Sequence, residues 1–304
     1  MTAEIRPDRF EAYLSEQRAC VEAALERAVD GLAGALPPEV LAAARHGVLG
    51  GGKRLRPILC ASAYAACGGE PGPALYDLAA SLELVHAYSL VHDDLPCMDD
   101  ADLRRGRPTT HREHGEDAAM RAGAALIPAA ARLCRSAALA LGCPPERALE
   151  ATRVLLEAAG AGGMVGGQWL DLLGEERELG AAELDDLHAR KTGALLAASP
   201  VLGAVAAGAP PAARTALAEY GRRLGLAFQI ADDILDATQS AATLGKNPSD
   251  AALAKSTYVA LHGLEEARTL ARREADAAVA ALARAGVDSP VLRALADYVV
   301  DRER

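Results

Sequence analysis

Two stretches decide the fold and the chemistry expected of this chain: FQIADDILD, residues 228–236, and HAYSLVHDDLPCMDDADLRRGRP, residues 86–108. In the shorter stretch, four polar residues follow the spacing i, i+3, i+4, i+7 and so share one face of an α-helix: Gln229, Asp232, Asp233 and Asp236. The residues between them are apolar, which predicts a buried helix that carries a strip of three carboxylates. Buried like charges are costly, so we expect a cation there, and oxygen ligands with room for water suit Mg²⁺. The alternative is a solvated acidic face with surface ion pairs.

The longer stretch repeats the same spacing in His86, Ser89, Leu90 and Asp93. Asp93 and Asp94 end an apolar segment, which the proline at position 96 then interrupts. Aspartates follow at positions 99, 100 and 102, and two arginines follow at positions 104 and 105. Carboxylates beside arginines indicate either weak surface ion pairs or a site in which carboxylates hold Mg²⁺ and arginines bind phosphate oxygens.

Cations elsewhere in the chain favour the second interpretation. They are Lys53 and Arg56 in GGKRLRP, Lys191 (followed by Thr192) in ARKTG, and Lys246 in GKNPSD. Each of them alone is typical of a solvated surface. Together with two aspartate clusters, they predict two diphosphate groups around a trinuclear metal centre.

Helical periodicity dominates the chain of 304 residues, which is 51% hydrophobic and only 3% aromatic. Alanine and leucine, both good helix formers, are abundant. We predict helical or apolar segments over residues 10–32, 39–49, 57–66, 75–94, 118–141, 145–159, 181–196, 212–236, 256–285 and 289–301. Residues 96–116 are predicted to form a loop, and we find no convincing strand. The sequence therefore predicts a single all-α domain, residues 1–304, with buried central helices.

Charge and cysteine usage narrow the function classes further. The net charge of −10 disfavours broad nucleic-acid binding, which needs a basic surface. The six cysteines show no CxxC spacing and the first ten residues have no apolar signal core, so we expect a reduced, cytoplasmic protein. No apolar run is long enough for a membrane span. The nearest, residues 193–210, contains Pro200 and is predicted to be a buried helix.

The chain resembles the trans-isoprenyl diphosphate synthases, and specifically the bacterial farnesyl diphosphate synthases, in an ordered set of motifs along almost its whole length. These are GGKRLRP, HDDLPCMDDADLRRG, GMVGGQ, KTG, FQIADDILD, LGKNPSD and the ending LRALADYVVDRER. The resemblance implies a bundle of antiparallel helices around a deep central cavity, usually as a homodimer. It also implies two substrates, isopentenyl diphosphate and an allylic diphosphate.

The resemblance implies a role for each charged group. Asp93 and Asp99 would bind two Mg²⁺ ions, with support from Asp94. Asp232 would bind a third ion, with Asp233 and Asp236 acting directly or through water. The residues expected to hold the allylic diphosphate are Arg104, Lys191, Thr192, Gln229 and Lys246. Those expected to hold isopentenyl diphosphate are Lys53, Arg56, His86 and Arg105.

In the reaction that the resemblance implies, the allylic C–O bond ionises and the isopentenyl double bond attacks the resulting cation. The departing diphosphate then takes the proton, so no side-chain base is expected. We expect His92, His111 and His114 to be structural or surface residues.

Tyr88 and Ser89 are the residues expected to set the length of the product. Tyr88 precedes Asp93 by five residues and therefore lies roughly 7.5 Å from it along a helix. By resemblance, these two side chains form the floor of the pocket for the hydrocarbon tail. A bulky ring at Tyr88 favours farnesyl diphosphate as the product, with geranylgeranyl diphosphate as the alternative. Tyr88 could instead be only a packed core residue.

The chain departs from the family pattern at several positions, including Ala101 within the first aspartate cluster and Pro128 soon after Ala124, and three of the departures could alter the site. Ala124 stands where relatives usually have an aspartate near the active site, and its presence could loosen an arginine or alter the metal shell. Trp169 is bulkier than the usual residue and could reshape the pocket. Pro200 is expected to kink or end a helix near Lys191.

Two other functions remain as alternatives. One is a class I terpene cyclase, although such an enzyme does not need the GGKRLRP site and its second metal motif normally mixes Asn, Ser and Glu. The other is a non-catalytic subunit of a heteromeric prenyltransferase, although such subunits typically lose one aspartate motif and both are intact here.

Overall fold

The computed structural model describes residues 5–174, 180–238 and 257–301, and within them the chain is almost entirely helical. The helices are α1 (Pro7–Asp30), α2 (Pro38–Val48), α3 (Leu55–Ala66), α4 (Pro73–Asp93), α5 (Thr110–His114), α6 (Glu116–Ala140), α7 (Pro145–Ala159), α8 (Met164–Gly174), α9 (Ala181–His188), α10 (Ala194–Ala206), α11 (Pro211–Thr238), α12 (Tyr258–His262), α13 (Leu264–Arg284) and α14 (Pro290–Asp301). A π-helical turn, Ala189–Gly193, joins α9 to α10. The prediction of an all-α fold is confirmed.

Helix α4 is the central element, because it packs against α1, α2, α3, α6 and α10. It is apolar on nearly every side, as expected of a helix with neighbours all around it. One large cluster of buried side chains surrounds α4 and reaches α7. A second cluster lies between α3, α11, α13 and α14. The carboxyl end of α4, which carries the first aspartates, is therefore held rigidly.

Helix α10 shows how small residues permit close packing. It is buried and packs on α3, α7 and α11. A Cβ atom at Gly203 would overlap the backbone carbonyl of Cys60 in α3, so only glycine fits at this contact. The prediction of a buried helix within residues 193–210 is confirmed for Ala194–Ala206. Pro200 lies inside α10 and does not end it, contrary to one of the outcomes expected from its sequence position.

The segment predicted as a loop, residues 96–116, contains regular structure. Strands β1 (Leu103–Arg104) and β2 (Arg107–Pro108) form an antiparallel hairpin, and α5 follows it. Arg105 and Gly106 both have positive φ, 54° and 72°, as a two-residue type I′ turn requires. The prediction failed because Arg-Gly is not a usual sequence for such a turn.

Two other boundaries differ from the predictions. Helix α8 was not predicted, because glycines at positions 166 and 167 lower helix propensity. The segment 256–285 was predicted as one helix, but Gly263, with a φ of 80°, separates α12 from α13. Three of the six cysteines (Cys60, Cys134 and Cys143) are buried, and none of the six forms a disulfide in the structure. In the described ranges, no helix is long and apolar enough to cross a lipid bilayer.

Candidate active site

The first aspartate cluster is built by the turn that follows α4. Asp93 is the last residue of that helix, and its carbonyl accepts a hydrogen bond from the Asp99 N–H at 2.9 Å. This bond returns the chain on itself and brings two predicted metal ligands together. Burial raises the pKa of Asp93 to about 6, Lys191 opposes that rise, and the charge of Asp99 adds to it. The site thus holds crowded carboxylates that a cation would stabilise.

Asp94, unlike its neighbour Asp93, forms several hydrogen bonds with an arginine. It is almost fully buried, and both its oxygens accept hydrogen bonds from Arg104 Nε, at 2.8 and 2.9 Å. Arg104 Nη2 adds a third bond to Asp94 at 2.6 Å. This bidentate pair fixes the guanidinium beside the aspartate cluster and attaches the β1–β2 hairpin to the end of α4. Asp94 therefore holds Arg104 in place, and its expected support of the metal ions stays a prediction.

The second aspartate cluster lies on α11. Asp233 is buried, and its carboxylate accepts hydrogen bonds from Gln229 Nε2 at 3.0 Å and from the Tyr258 N–H at 2.8 Å. Burial raises the pKa of Asp233 to about 6, although both hydrogen bonds oppose the rise. The oxygens of Asp233 are therefore engaged within the protein, where they tie α12 to α11. Asp233 therefore has a structural contact within the strip of carboxylates, and the metal role expected of Asp232 and Asp236 stays a prediction.

Gln229 connects the second cluster to the π-helical turn. Its Oε1 atom accepts a hydrogen bond from the Thr192 hydroxyl at 3.0 Å. Thr192 and Gln229, which sequence analysis placed at the allylic diphosphate, are thus in direct contact. Lys246, the remaining residue predicted for that diphosphate, lies outside the described residues.

Lys191 lies between the two clusters and is held by a residue that sequence analysis missed, Asp171 of α8. Its ammonium group forms an ion pair with the Asp171 carboxylate. Burial alone would lower the pKa of Lys191, but the charges of Asp171 and Asp93 together raise it. Helix α8 approaches the turn so closely that a Cβ atom at Gly167 would overlap the backbone of Lys191. Gly167 and Asp171 are four residues apart and so lie on one face of α8. This spacing was the sequence signal that could have identified Asp171 as a partner of Lys191.

A cluster of basic side chains lies near the carboxylates. Burial and the charges of Arg56, Arg105, Arg104 and Arg54 lower the pKa of His86 well below its usual range. Burial also lowers the pKa of Arg56, with Glu83 and Asp232 opposing the change. Among the described residues, the buried Nε of Arg56 finds no hydrogen-bond partner. Arginines with unmet hydrogen-bonding capacity are suited to an anion, and their assignment to isopentenyl diphosphate stays a prediction.

Arg54, also missed by sequence analysis, holds this cluster in place. Its φ is 52°, a left-handed conformation that is uncommon for arginine. The guanidinium bonds to Glu22 at 2.7 and 3.2 Å, to Glu83 at 2.8 Å and to the Val48 carbonyl at 2.9 Å. Arg54 therefore connects α1, α2 and α4, and its backbone lies between those of Lys53 and Arg56. The sequence signal was Glu83, a carboxylate inside an apolar helix.

The two residues predicted to set product length lie on α4. Tyr88 is 6% exposed, and its ring centroid is 5.9 Å from that of His92. The Ser89 hydroxyl donates a hydrogen bond to the His86 carbonyl at 2.9 Å. Tyr88 is thus packed against a neighbouring ring, whereas Ser89 is only partly buried.

The three histidines considered as catalytic candidates all have other neighbours. His92 donates from Nε2 to the Met120 carbonyl at 3.0 Å. His111 is buried and lies within 3.1 Å of the Thr109 hydroxyl through Nδ1. The His114 ring contacts that of His46 edge-on, at 5.2 Å between centroids. These contacts agree with structural roles.

Two of the departures from the family pattern lie on the surface. Ala124 is exposed on α6, so an aspartate at this position would lie on the outer face of that helix. Trp169 is 62% exposed on α8 and does not fill the interior of the bundle. The effects on an arginine and on the pocket that were expected from these two positions therefore find no support within one chain.

The oxygen donors fit Mg²⁺ only together with a ligand. Within residues 5–174, 180–238 and 257–301, no three His, Cys, Asp or Glu side chains converge closely enough to hold an ion by themselves. Mg²⁺ usually binds one or two carboxylates and takes its other ligands from water and substrate phosphates. Asp93 and Asp99 on one side, with Asp232 and Asp236 on the other, match that requirement.

Comparisons with known proteins agree with this geometry. The family model described as polyprenyl synthetase matches residues 37–288. The chain is 42% identical over 273 residues to geranylgeranyl pyrophosphate synthase 11, chloroplastic, of Arabidopsis thaliana, covering 88% of this chain and 75% of the relative. It is 40% identical over 292 residues to a dimethylallyltranstransferase of Fischerella ambigua (strain UTEX 1903), covering 95% and 83%. Its fold is similar to the crystal structure of an FPP/GFPP synthase from Zymomonas mobilis, with a TM-score of 0.82, 32% identity and coverage of 96% and 99%.

Proposed function

The chain belongs to the polyprenyl synthetase family, and from this premise we propose that it condenses isopentenyl diphosphate with dimethylallyl and geranyl diphosphates to give farnesyl diphosphate. We further propose that residues 1–304 form one polyprenyl synthetase domain. The observation that carries the proposal is the pairing of a crowded carboxylate site at Asp93 and Asp99 with a group of basic side chains around Arg56, whose buried Nε atom has no hydrogen-bond partner in the described residues. The first suits a metal-bound leaving group and the second suits a separate anion.

Isopentenyl diphosphate binds at the cation cluster in this proposal. Arg56 supplies a buried N–H group that has no partner in the described protein, and Lys53 and Arg105 add positive charge. His86 is kept neutral by burial and by the surrounding arginines, so it can donate one hydrogen bond without adding charge. The homoallylic double bond is thereby held at a fixed distance from the second substrate.

The allylic diphosphate binds between the two aspartate clusters. Lys191 and Arg104 neutralise its charge, and Thr192 and Gln229 orient it from the π-helical turn. Mg²⁺ held by Asp93, Asp99, Asp232 and Asp236, three ions in the expected arrangement, would supply the electrostatic stabilisation that lets the diphosphate leave. The π electrons of the isopentenyl double bond then form the new C–C bond. The released diphosphate takes the proton that the product loses.

The length of the product is the finer part of the proposal. Tyr88 is large and buried, as a floor that stops chain growth at farnesyl diphosphate needs to be. The second candidate is geranylgeranyl diphosphate, favoured by the name of the Arabidopsis relative at 42% identity.

We also propose that the chain acts as a homodimer. Helix α6 exposes Met120 and Ile127, and α7 exposes Leu149 and Leu156, so two neighbouring helices carry apolar side chains on their outer faces. Light scattering at micromolar concentration should give twice the chain mass, and a monomer mass would contradict the proposal. The cytoplasmic location expected from the sequence stays a prediction.

A product assay tests the reaction. Purified protein is incubated with Mg²⁺, labelled isopentenyl diphosphate and, separately, dimethylallyl, geranyl and farnesyl diphosphates, and the alcohols obtained after phosphatase treatment are sized by chromatography. We expect farnesol as the main product from the two shorter primers and no product in EDTA. Geranylgeraniol as the main product would favour the second candidate, and no incorporation by folded protein would refute the prenyltransferase proposal.

Matched variants connect the assay to the site. Asp93→Asn should abolish turnover, whereas Asp100→Asn, whose carboxylate pairs with Arg112 at the surface, should leave it nearly unchanged. Arg56→Gln should raise the KM for isopentenyl diphosphate far more than the KM for geranyl diphosphate. Equal effects on both KM values would show that Arg56 does not belong to one substrate site.

A further inference from the structure

His92 and Tyr88 form a ring pair on the side of α4 that faces α6. The two residues are four apart, so they lie about 40° apart around the helix axis, whereas Asp93 is about 140° from Tyr88. Their ring centroids are 5.9 Å apart at an interplanar angle of 73°, an edge-to-face contact. His92 therefore packs beside Tyr88 and points away from the carboxylate of its neighbour Asp93.

The backbone of α6 holds the His92 ring from the other side. The His92 Nε2 atom donates a hydrogen bond to the Met120 carbonyl at 3.0 Å. At Gly123, one turn further along α6, a Cβ atom would overlap the imidazole. The imidazole is thus confined between the Tyr88 ring and a glycine backbone, with a hydrogen bond that fixes its orientation.

From this confinement we propose that His92 sets the product length by positioning Tyr88, and that Gly123 provides the space that His92 needs. The inference rests on the proposed function, because it concerns the pocket that receives the growing hydrocarbon tail. Tyr88 can yield to a longer tail only by moving its ring, and the supported imidazole blocks movement towards α6. His92 is in this view a positioning residue, since it need not touch the substrate.

The geometry predicts that two substitutions change the product length in opposite directions. His92→Ala removes the ring that supports Tyr88 and leaves space into which the tyrosine can move, so the tail pocket deepens. Gly123→Ala places a methyl group in the space of the imidazole and is expected to push the imidazole towards Tyr88, so the pocket becomes shallower. In the double variant the new methyl group occupies part of the space that His92 vacated, and the two effects should largely cancel.

Product distributions under excess isopentenyl diphosphate measure these effects. We expect His92→Ala to raise the ratio of C20 to C15 alcohols by roughly tenfold, a value typical of discrimination by an apolar pocket. Gly123→Ala should raise the ratio of C10 to C15 alcohols, and the double variant should lie near the parent. His114→Ala, which removes an imidazole that contacts the ring of His46, is the matched control and should keep the parental distribution.

Two results would overturn the inference: an unchanged product distribution for folded His92→Ala, or a shift of the two single variants in the same direction. If His92→Ala fails to fold, His92→Phe takes its place, because a phenyl ring supports Tyr88 without the hydrogen bond to Met120. The inference expects His92→Phe to keep the parental products, and longer products from it would contradict the argument. Failure of the parent protein to form any prenyl product would instead refute the proposed function.

Discussion

Replacement of Arg54 by methionine should destabilise the protein strongly, because Arg54 is the centre of a buried ionic network. The Arg54 side chain is 2% exposed and pairs with Glu22 and Glu83, whose side chains are 33% and 4% exposed. Once the guanidinium is removed, Glu22 can turn to water. Glu83 cannot, and its carboxylate is left buried without its main partner.

The size of the effect follows from that asymmetry. Loss of one member of a buried ion pair costs about 3–5 kcal/mol, chiefly because the other charge stays buried. The double variant Arg54→Met with Glu83→Gln leaves no unpaired charge, so it should be more stable than the sum of the single changes predicts by about 1–3 kcal/mol. Arg153→Met serves as the control, because Arg153 and Glu157 are both 62% exposed and such pairs contribute about 1 kcal/mol or less.

Urea denaturation followed by circular dichroism, at one protein concentration for all variants, measures these free energies. The same samples should show a raised KM for isopentenyl diphosphate in Arg54→Met, since Lys53 and Arg56 flank the lost anchor. If Arg54→Met lowers the free energy of unfolding by less than about 1 kcal/mol, the Arg54 network contributes no more than a surface ion pair, and the reasoning is refuted. Strict additivity in the double variant would show that Glu83 is not the source of the cost.

Three further substitutions test other contacts. Asp171→Asn should lower kcat/KM for geranyl diphosphate by roughly 10- to 100-fold, because it releases Lys191. Asp186→Asn is the control: it breaks an exposed ion pair with Arg190 and should change kcat/KM little. Equal losses in the two variants would contradict this prediction. Asp233→Ala leaves a buried N–H group of α12 without its acceptor, so urea denaturation should show a loss of about 1–3 kcal/mol, and a neutral result would mean that the contact contributes nothing. Gly203→Ala pushes α10 away from α3 and should cost about 1–3 kcal/mol in the same assay, with Gly162→Ala, where a Cβ atom would meet nothing within 4 Å, as the tolerated control.

The main helices and both aspartate clusters could be predicted from the sequence, because helical periodicity and i, i+4 spacing are local properties. Asp93 and Asp99 are joined by a turn only six residues long, and Gln229 and Asp233 by one turn of α11. The supporting partners could not be predicted in this way. Asp171 and Lys191 are 20 residues apart in the sequence. Their contact depends on the close packing of α8 at its glycines, which helix propensity does not predict.

The irregular segments escaped prediction for a related reason. The π-helical turn at Ala189–Gly193 is the point where α8 touches the backbone at Lys191 through Gly167, so a tertiary contact accompanies the local departure from α-helix. The β1–β2 hairpin has two residues with positive φ in a sequence without the usual turn signal, and Arg104 of β1 is held by Asp94. In both places, a partner distant in the sequence helps to fix the backbone.

The adjacent aspartates of each cluster show how such a site can be stable. In each doublet one carboxylate is tied into the protein, Asp94 by Arg104 and Asp233 by Gln229 and a backbone N–H. Successive residues of a helix point about 100° apart, so the tied side chain fixes the direction of its neighbour. The direction of Asp93 and of Asp232 is thus set in part by the tied residue beside it. It follows that loss of the tied member should reduce both stability and turnover, whereas loss of its neighbour should reduce turnover alone.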